Sequence, residues 1–220
     1  MSFLPGMFPA LLGSSAFNLT FVGSATTYSS AIDISSISPG SIQAGDLCLI
    51  YQWANGSNPI DNTPSGFTEL IFEEAVADET SAKISAKKLT GSETTVTGFL
   101  GSTYDALIVA VFRPSSTFSS FNLSGSDSDI TNSDPASQTI GSGAGSTIPV
   151  LAFGFMAGFP EVSPRTISPA MDEIGLTGGV PHMYAHYKIY NIGDTPANHS
   201  YDMDDEGDWN TILSGYLTFS

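Results

Sequence analysis

The chain has 220 residues, enough for one substantial domain or two small ones, and enough to bury a core without disulfide or metal staples. Apolar residues make up 41% and charged residues only 13%, so the surface must be largely Ser, Thr, Asn and Gly, as in turn-rich all-β proteins. Twenty-two acids against six bases give a formal charge of −16, which argues against nucleic acid as a partner because phosphates would be repelled.

Residues 1–13 are apolar and Pro-rich. No base precedes the apolar stretch, and Pro5 and Pro9 interrupt it, so it reads poorly as an export signal or a membrane span. Phe3, Leu4, Met7, Phe8, Leu11 and Leu12 would be costly to leave in water, which predicts an arm that docks on a partner, the alternative being a segment that folds back over the protein's own sandwich. Residues 14–220 then read as one β-sandwich domain.

Alternation begins at Phe17-Asn18-Leu19-Thr20-Phe21, a strand with one apolar face. A Ser-rich stretch, Ser29 to Ser41, leads through Pro39-Gly40 to the pivotal run Gly45-Asp46-Leu47-Cys48-Leu49-Ile50-Tyr51-Gln52-Trp53-Ala54. Leu47, Leu49, Tyr51 and Trp53 share one face of that strand; Cys48, Ile50 and Gln52 share the other. Both faces carry apolar groups, so the strand is expected to be central. Cys48 lies within it as a small buried hydrophobe, and with no second cysteine there is no internal disulfide. Further strands are expected at Phe67 to Ala75, Ala82 to Leu89, Thr94 to Phe99 and Ala106 to Phe112, the last ended by Pro114. Residues 115–146, rich in Ser, Gly and Asp, read as a linker or long surface loops with one strand near Gln138-Thr139-Ile140.

The order then returns. Ile148 to Met156 corresponds to the pivotal strand, Met171 to Ile174 to Phe67 to Leu70, and Met183 to Tyr190 to Ala82 to Leu89. His199 to Met203 and Trp209 to Phe219 answer the last two strands. Two half-repeats, about 17–113 and 138–219, are therefore expected, with the fully apolar strands best satisfied in one shared core. The predicted fold is an all-β, jelly-roll-like sandwich built from two similar strand sets, with an extended N-terminal arm.

Local chemistry is sparse. Asp202, Asp204 and Glu206, with Gly207 next, resemble the front of a calcium loop, but Leu213 stands where that loop needs a bidentate Glu. The run equally fits a solvated acidic turn, and no metal or other cofactor is expected. Asp127 to Asp134 is a weaker version lacking the Gly. His182 and His186 share a strand face but sit roughly 13 Å apart, too far to bind one metal. His199 has no nucleophile motif to serve, and Gly141 to Gly145 lacks the Lys and helix of a phosphate cradle. Lys83, Lys87 and Lys88 fall on one strand, which reads as edge protection or a partner contact.

The layout Gly45-Asp46-Leu47-Cys48-Leu49-Ile50, then Pro64-Ser65-Gly66-Phe67-Thr68-Glu69-Leu70, then Lys87-Lys88-Leu89-Thr90-Gly91-Ser92-Glu93, then Ala106-Leu107-Ile108-Val109-Ala110-Val111-Phe112-Arg113 resembles a diffuse group of tailed-bacteriophage structural proteins. The opening Met1 to Pro9 is similar to N-termini found among them. The resemblance implies a non-enzymatic virion component that is oligomeric in the assembled particle and docks on capsid or tail subunits, with no nucleic-acid or membrane partner. A capsid decoration (cement) protein, assembled in the host cytoplasm, is the leading expectation. The alternative is a receptor- or carbohydrate-binding module of a tail fibre, in which Tyr51, Trp53 or Trp209 would stack on a sugar; a hydrolase on a jelly roll is a third.

Overall fold

The computed structural model describes residues 17–29, 31–35, 37, 41–56, 60, 62–75, 80–97, 104–131, 138–140, 149–159, 165–176, 182–203 and 208–220. Among them every regular element is a strand. The first half carries β1 (Leu19–Thr27), β2 (Ala31–Asp33), β3 (Leu47–Asn55), β4 (Thr68–Ala75), β5 (Thr80–Lys88), β6 (Thr95–Thr97) and β7 (Tyr104–Pro114). The second carries β8 (Phe121–Thr131), β9 (Gln138–Ile140), β10 (Val150–Phe159), β11 (Arg165–Ser168), β12 (Asp172–Leu176), β13 (His182–Tyr190), β14 (His199–Met203) and β15 (Asp208–Phe219).

Each half builds its own five-stranded antiparallel sheet. The orders are β1-β7-β3-β5-β4 and β8-β15-β10-β13-β12. Counted along their own halves, the principal strands follow one and the same order. The short pair β2-β6 has its counterpart in β9-β14, to which β11 is added. The five principal strands of each half thus stay within one large sheet rather than alternating between the two.

Period-2 side-chain alternation explains why neither sheet could stand alone. Leu47, Leu49, Tyr51 and Trp53 on β3 and Leu151, Phe153 and Phe155 on β10 point into one common core between the sheets. Ala82, Ile84 and Ala86 join it from β5, and Ala185 with the partly buried Tyr187 and Ile189 from β13. The opposite faces are covered as well. Cys48, Ile50 and Val109 lie under Ile32 and Val96 of the β2-β6 pair. Val150, Ala152 and Met156 lie under Tyr201 of β14. Every residue of β3 is consequently buried.

The sheets also meet at their edges, β4 beside β8 and β1 beside β12. The Ser128 hydroxyl donates to Glu73 Oε2 at 2.7 Å across one seam, and the Ser24 hydroxyl to the Ile174 carbonyl at 2.6 Å across the other.

One sequence expectation fails here. Within the supposed linker 115–146, residues Phe121 to Thr131 form the full-length edge strand β8 against β15. Its Ser, Asp and Gly content hid it, because an edge strand is held by backbone pairing and needs few apolar side chains. Phe121, Leu123 and Ile130 are its contributions to the core.

Candidate functional site

The cations define the most informative cluster. β5 is not an edge: it pairs with β3 on one side and β4 on the other, so the lysines protect no sheet edge. Lys83 is almost wholly buried, with its ammonium 2.9 Å from Glu69 Oε2 and 4.7 Å above the Phe72 ring. Lys87 pairs with Glu93 at 3.1 Å. Lys88 donates to the Phe118 carbonyl and lies 4.6 Å over that ring. Burial pushes the Glu93 carboxyl up, but hydrogen bonds from the Thr90 amide, Lys87 and the Thr90 hydroxyl outweigh it and hold the group at about 2. Lys83, Lys87 and Lys88 are thus each engaged by their own chain.

Arg113 does the same at the start of β3. Its Nε donates to Asp46 Oδ1 at 3.0 Å, and its Nη2 to Asp46 Oδ2 at 2.9 Å and to the Ser41 carbonyl at 2.8 Å. Asp46, 1% exposed, also accepts the Gln43 amide at 2.8 Å. The bidentate fork pins the Gly45-Asp46 turn, with Gly45 at φ 92°, to the end of β7. A cleft of about 220 Å³ lies over this clamp, between Gln43 to Asp46 and Arg113 to Thr117. It is smaller than the few hundred Å³ typical of a small-molecule site.

His199, the first residue of β14, is fully buried against the second sheet. Its Nε2 is 2.6 Å from the Tyr190 hydroxyl and its Nδ1 3.0 Å from the Pro169 carbonyl. Since that carbonyl can only accept, Nδ1 carries the proton and Nε2 accepts from Tyr190. Burial lowers the imidazole's affinity for a second proton, and the nearby Lys188 lowers it further. Tyr216 donates to the Ala197 carbonyl, and Tyr201 to Met171 Sδ at 3.2 Å. The network fastens the small sheet β9-β14-β11 to the large one. Its hydrogen bonds leave the imidazole no serine to activate.

The remaining expected residues fall as follows. Tyr51 and Trp53 have no exposed surface, which removes both as a stacking platform for sugar. Trp53 instead donates its indole N–H to Thr211 Oγ1 at 2.9 Å. Trp209 lies in β15, its side chain outside the description. Asp202 lies in β14 opposite Thr166, while Asp204 and Glu206 are outside the described residues, as are all six arm residues Phe3, Leu4, Met7, Phe8, Leu11 and Leu12. Among the described residues no three His, Cys, Asp or Glu groups are placed to hold a metal, and no helix is long and apolar enough to cross a membrane. His186, at 8% exposure, faces away from the core that takes Met183 and Ala185.

The Asp46–Arg113 clamp escaped the sequence reading. Its only signal was an Asp just before one buried strand and an Arg just after another.

No family model, curated protein or solved structure matches this chain.

Proposed function

We propose that this chain is a non-enzymatic accessory structural protein of a phage virion, a decoration (cement) protein that docks on capsid or tail subunits through its N-terminal arm. In this reading it is a two-sheet sandwich with an extended arm, and it works as one of many copies on the particle.

The observation that carries the proposal is the use the fold makes of its few chemically active groups. Lys83, Lys87, Arg113, Glu93 and His199 each hold strands or turns of the chain itself. Such groups make a rigid body, as a component that endures in a particle requires, and they do not converge on a reacting centre. The strand layout from Gly45 to Arg113 and the apolar arm support the phage assignment. The sugar-binding alternative loses two of its three aromatic candidates to the core.

Burying one large apolar side chain is worth roughly 1.5–3 kcal/mol, and ordering each backbone residue costs roughly 1–2 kcal/mol. The arm's six large side chains therefore bind only if a partner buries most of them. The test is deletion of residues 1–13. The variant should keep the melting temperature of the full chain and be lost from purified particles. A truncated chain that still incorporates at the full level refutes arm docking, and absence of the full chain from particles refutes the virion reading.

A further inference from the structure

The outer faces of the two large sheets are covered in different ways. Over the first sheet, the pair β2-β6 lays Ile32 and Val96, helped by Ile34 and Ile37, on Cys48, Ile50 and Val109, an apolar contact throughout. Over the second, β9-β14-β11 forms a small sheet of its own, with strands of three, five and four residues. Polar bonds help to hold this cover down. They include the Tyr190–His199 bond, the bond from the Tyr216 hydroxyl to the Ala197 carbonyl, and the bond from Tyr201 to Met171 Sδ.

One of these bonds depends on a group that titrates near neutral pH. Both ring nitrogens of the buried His199 are committed, Nδ1 to the Pro169 carbonyl and Nε2 to the Tyr190 hydroxyl, and neither partner is a carboxylate. The ionisable groups around the ring offer a second proton no counter-charge. Tyr190 and Lys188 come from β13, Tyr216 from β15, and Tyr201 from the same side of β14. Neither β9 nor the segment Thr166 to Ser168 of β11 carries an ionisable side chain, and Asp194, in the turn after β13, acts on Tyr190. A second proton would make Nε2 a donor facing the Tyr190 oxygen, which already accepts the Ala197 amide. The Tyr190 O–H would then lose its acceptor, and a charge would be left in the interior.

We infer that the small sheet β9-β14-β11 is a pH-sensitive flap. Protonation of His199 frees it from the second large sheet and uncovers the apolar face of Val150, Ala152, Met156 and Ile212, while the β2-β6 cover of the first sheet stays closed. In the open flap the imidazole regains its ordinary 6.5; in the closed one burial holds it lower, aided by Lys188 and opposed by the Pro169 carbonyl. The open form therefore binds more protons below pH 6.5, and opening becomes easier as pH falls from there. This opening is independent of the virion reading.

Hydrogen exchange of the full chain at pH 7.5 and 5.5, corrected for the intrinsic effect of pH on amide exchange, tests the flap. Amides of Arg165–Ser168 and His199–Met203 should lose protection severalfold at the lower pH, with ~10-fold as the ceiling for one proton acting over the unit below 6.5. Amides of Ala31–Asp33, Thr95–Thr97 and Leu47–Asn55 should keep theirs. In His199→Gln, which can accept from Tyr190 but takes up no proton, the flap should be equally protected at both values. If that variant does not fold, the unmodified chain decides. Its protection should start to fall near pH 6.5 and level off where NMR shows the folded chain's His199 ring to titrate. Unchanged protection of His199–Met203 in acid, an equal loss in Ala31–Asp33 and Thr95–Thr97, or a pH effect that survives His199→Gln overturns the flap.

Discussion

The indole N–H of Trp53 on β3 and the hydroxyl of Thr211 on β15 form a buried hydrogen bond of 2.9 Å that joins the two sheets across their shared core. Residues 158 apart in sequence are thereby fixed in one register between layers. A polar bond in such a place is more demanding than the aliphatic packing around it, because either group left alone is stranded away from water.

Thr211→Val should therefore strand the indole N–H and cost about 1–3 kcal/mol. Trp53→Phe adds a cavity and should cost about 2–4 kcal/mol. Urea denaturation of both single variants and the double variant should give a coupling near 1 kcal/mol. Additive losses would mean that the bond contributes nothing beyond packing.

Arg113→Ala leaves the Asp46 carboxylate buried with only the Gln43 amide. The expected cost is about 2–3 kcal/mol, below that of a fully enclosed pair because the guanidinium is 31% exposed. Asp46→Asn, which keeps an acceptor for Gln43, should cost less. Equal losses in chemical denaturation would contradict the view that the stranded carboxylate dominates.

At Gly154 a Cβ would stand 2.7 Å from the Tyr201 hydroxyl and 2.8 Å from the Leu213 carbonyl. Overpacking of this kind costs typically about 1–3 kcal/mol, so Gly154→Ala should lower the melting temperature by several degrees. Adding Tyr201→Phe should recover only part of the loss, since the backbone clash remains. Full recovery would place the whole conflict at the tyrosine.

Acid should weaken the fold in two stages. His199 takes up a proton less readily when folded than at its ordinary value of 6.5, so the unfolded chain binds more protons below that pH and stability falls as pH drops. Glu93, held at about 2 against an ordinary 4.5, contributes stability that is full above 4.5 and is lost as pH falls towards 2. Denaturation midpoints recorded from pH 8 to 3 should show both. His199→Gln, able to accept from Tyr190 but not to titrate, should flatten the wild-type slope between pH 6.5 and 5. An unchanged slope would assign it to other groups.

Much of the fold was legible because buried strands announce themselves. Leu47 to Trp53 and Val150 to Met156 are apolar on both faces, and such runs fit only the middle of a sheet covered on both sides. β8 was not legible, since Asp127, Ser128 and Asp129 earn their place by pairing backbone with β15 and not by hydrophobicity. The short β2 and β11 carried too few residues to register a period.

What the sequence determined by itself was the strand class, the face each side chain would take along β3 and β5, and the acidic excess, all of which depend on neighbours in the chain or on composition. Only the tertiary structure decided what the polar groups are for. Lys83 finds Glu69, Arg113 finds Asp46, His199 finds Tyr190, and Trp53 finds Thr211, through register and sheet stacking that bring distant segments together. Periodicity tells a residue which way to face; the partner it meets depends on which strand comes to lie beside it.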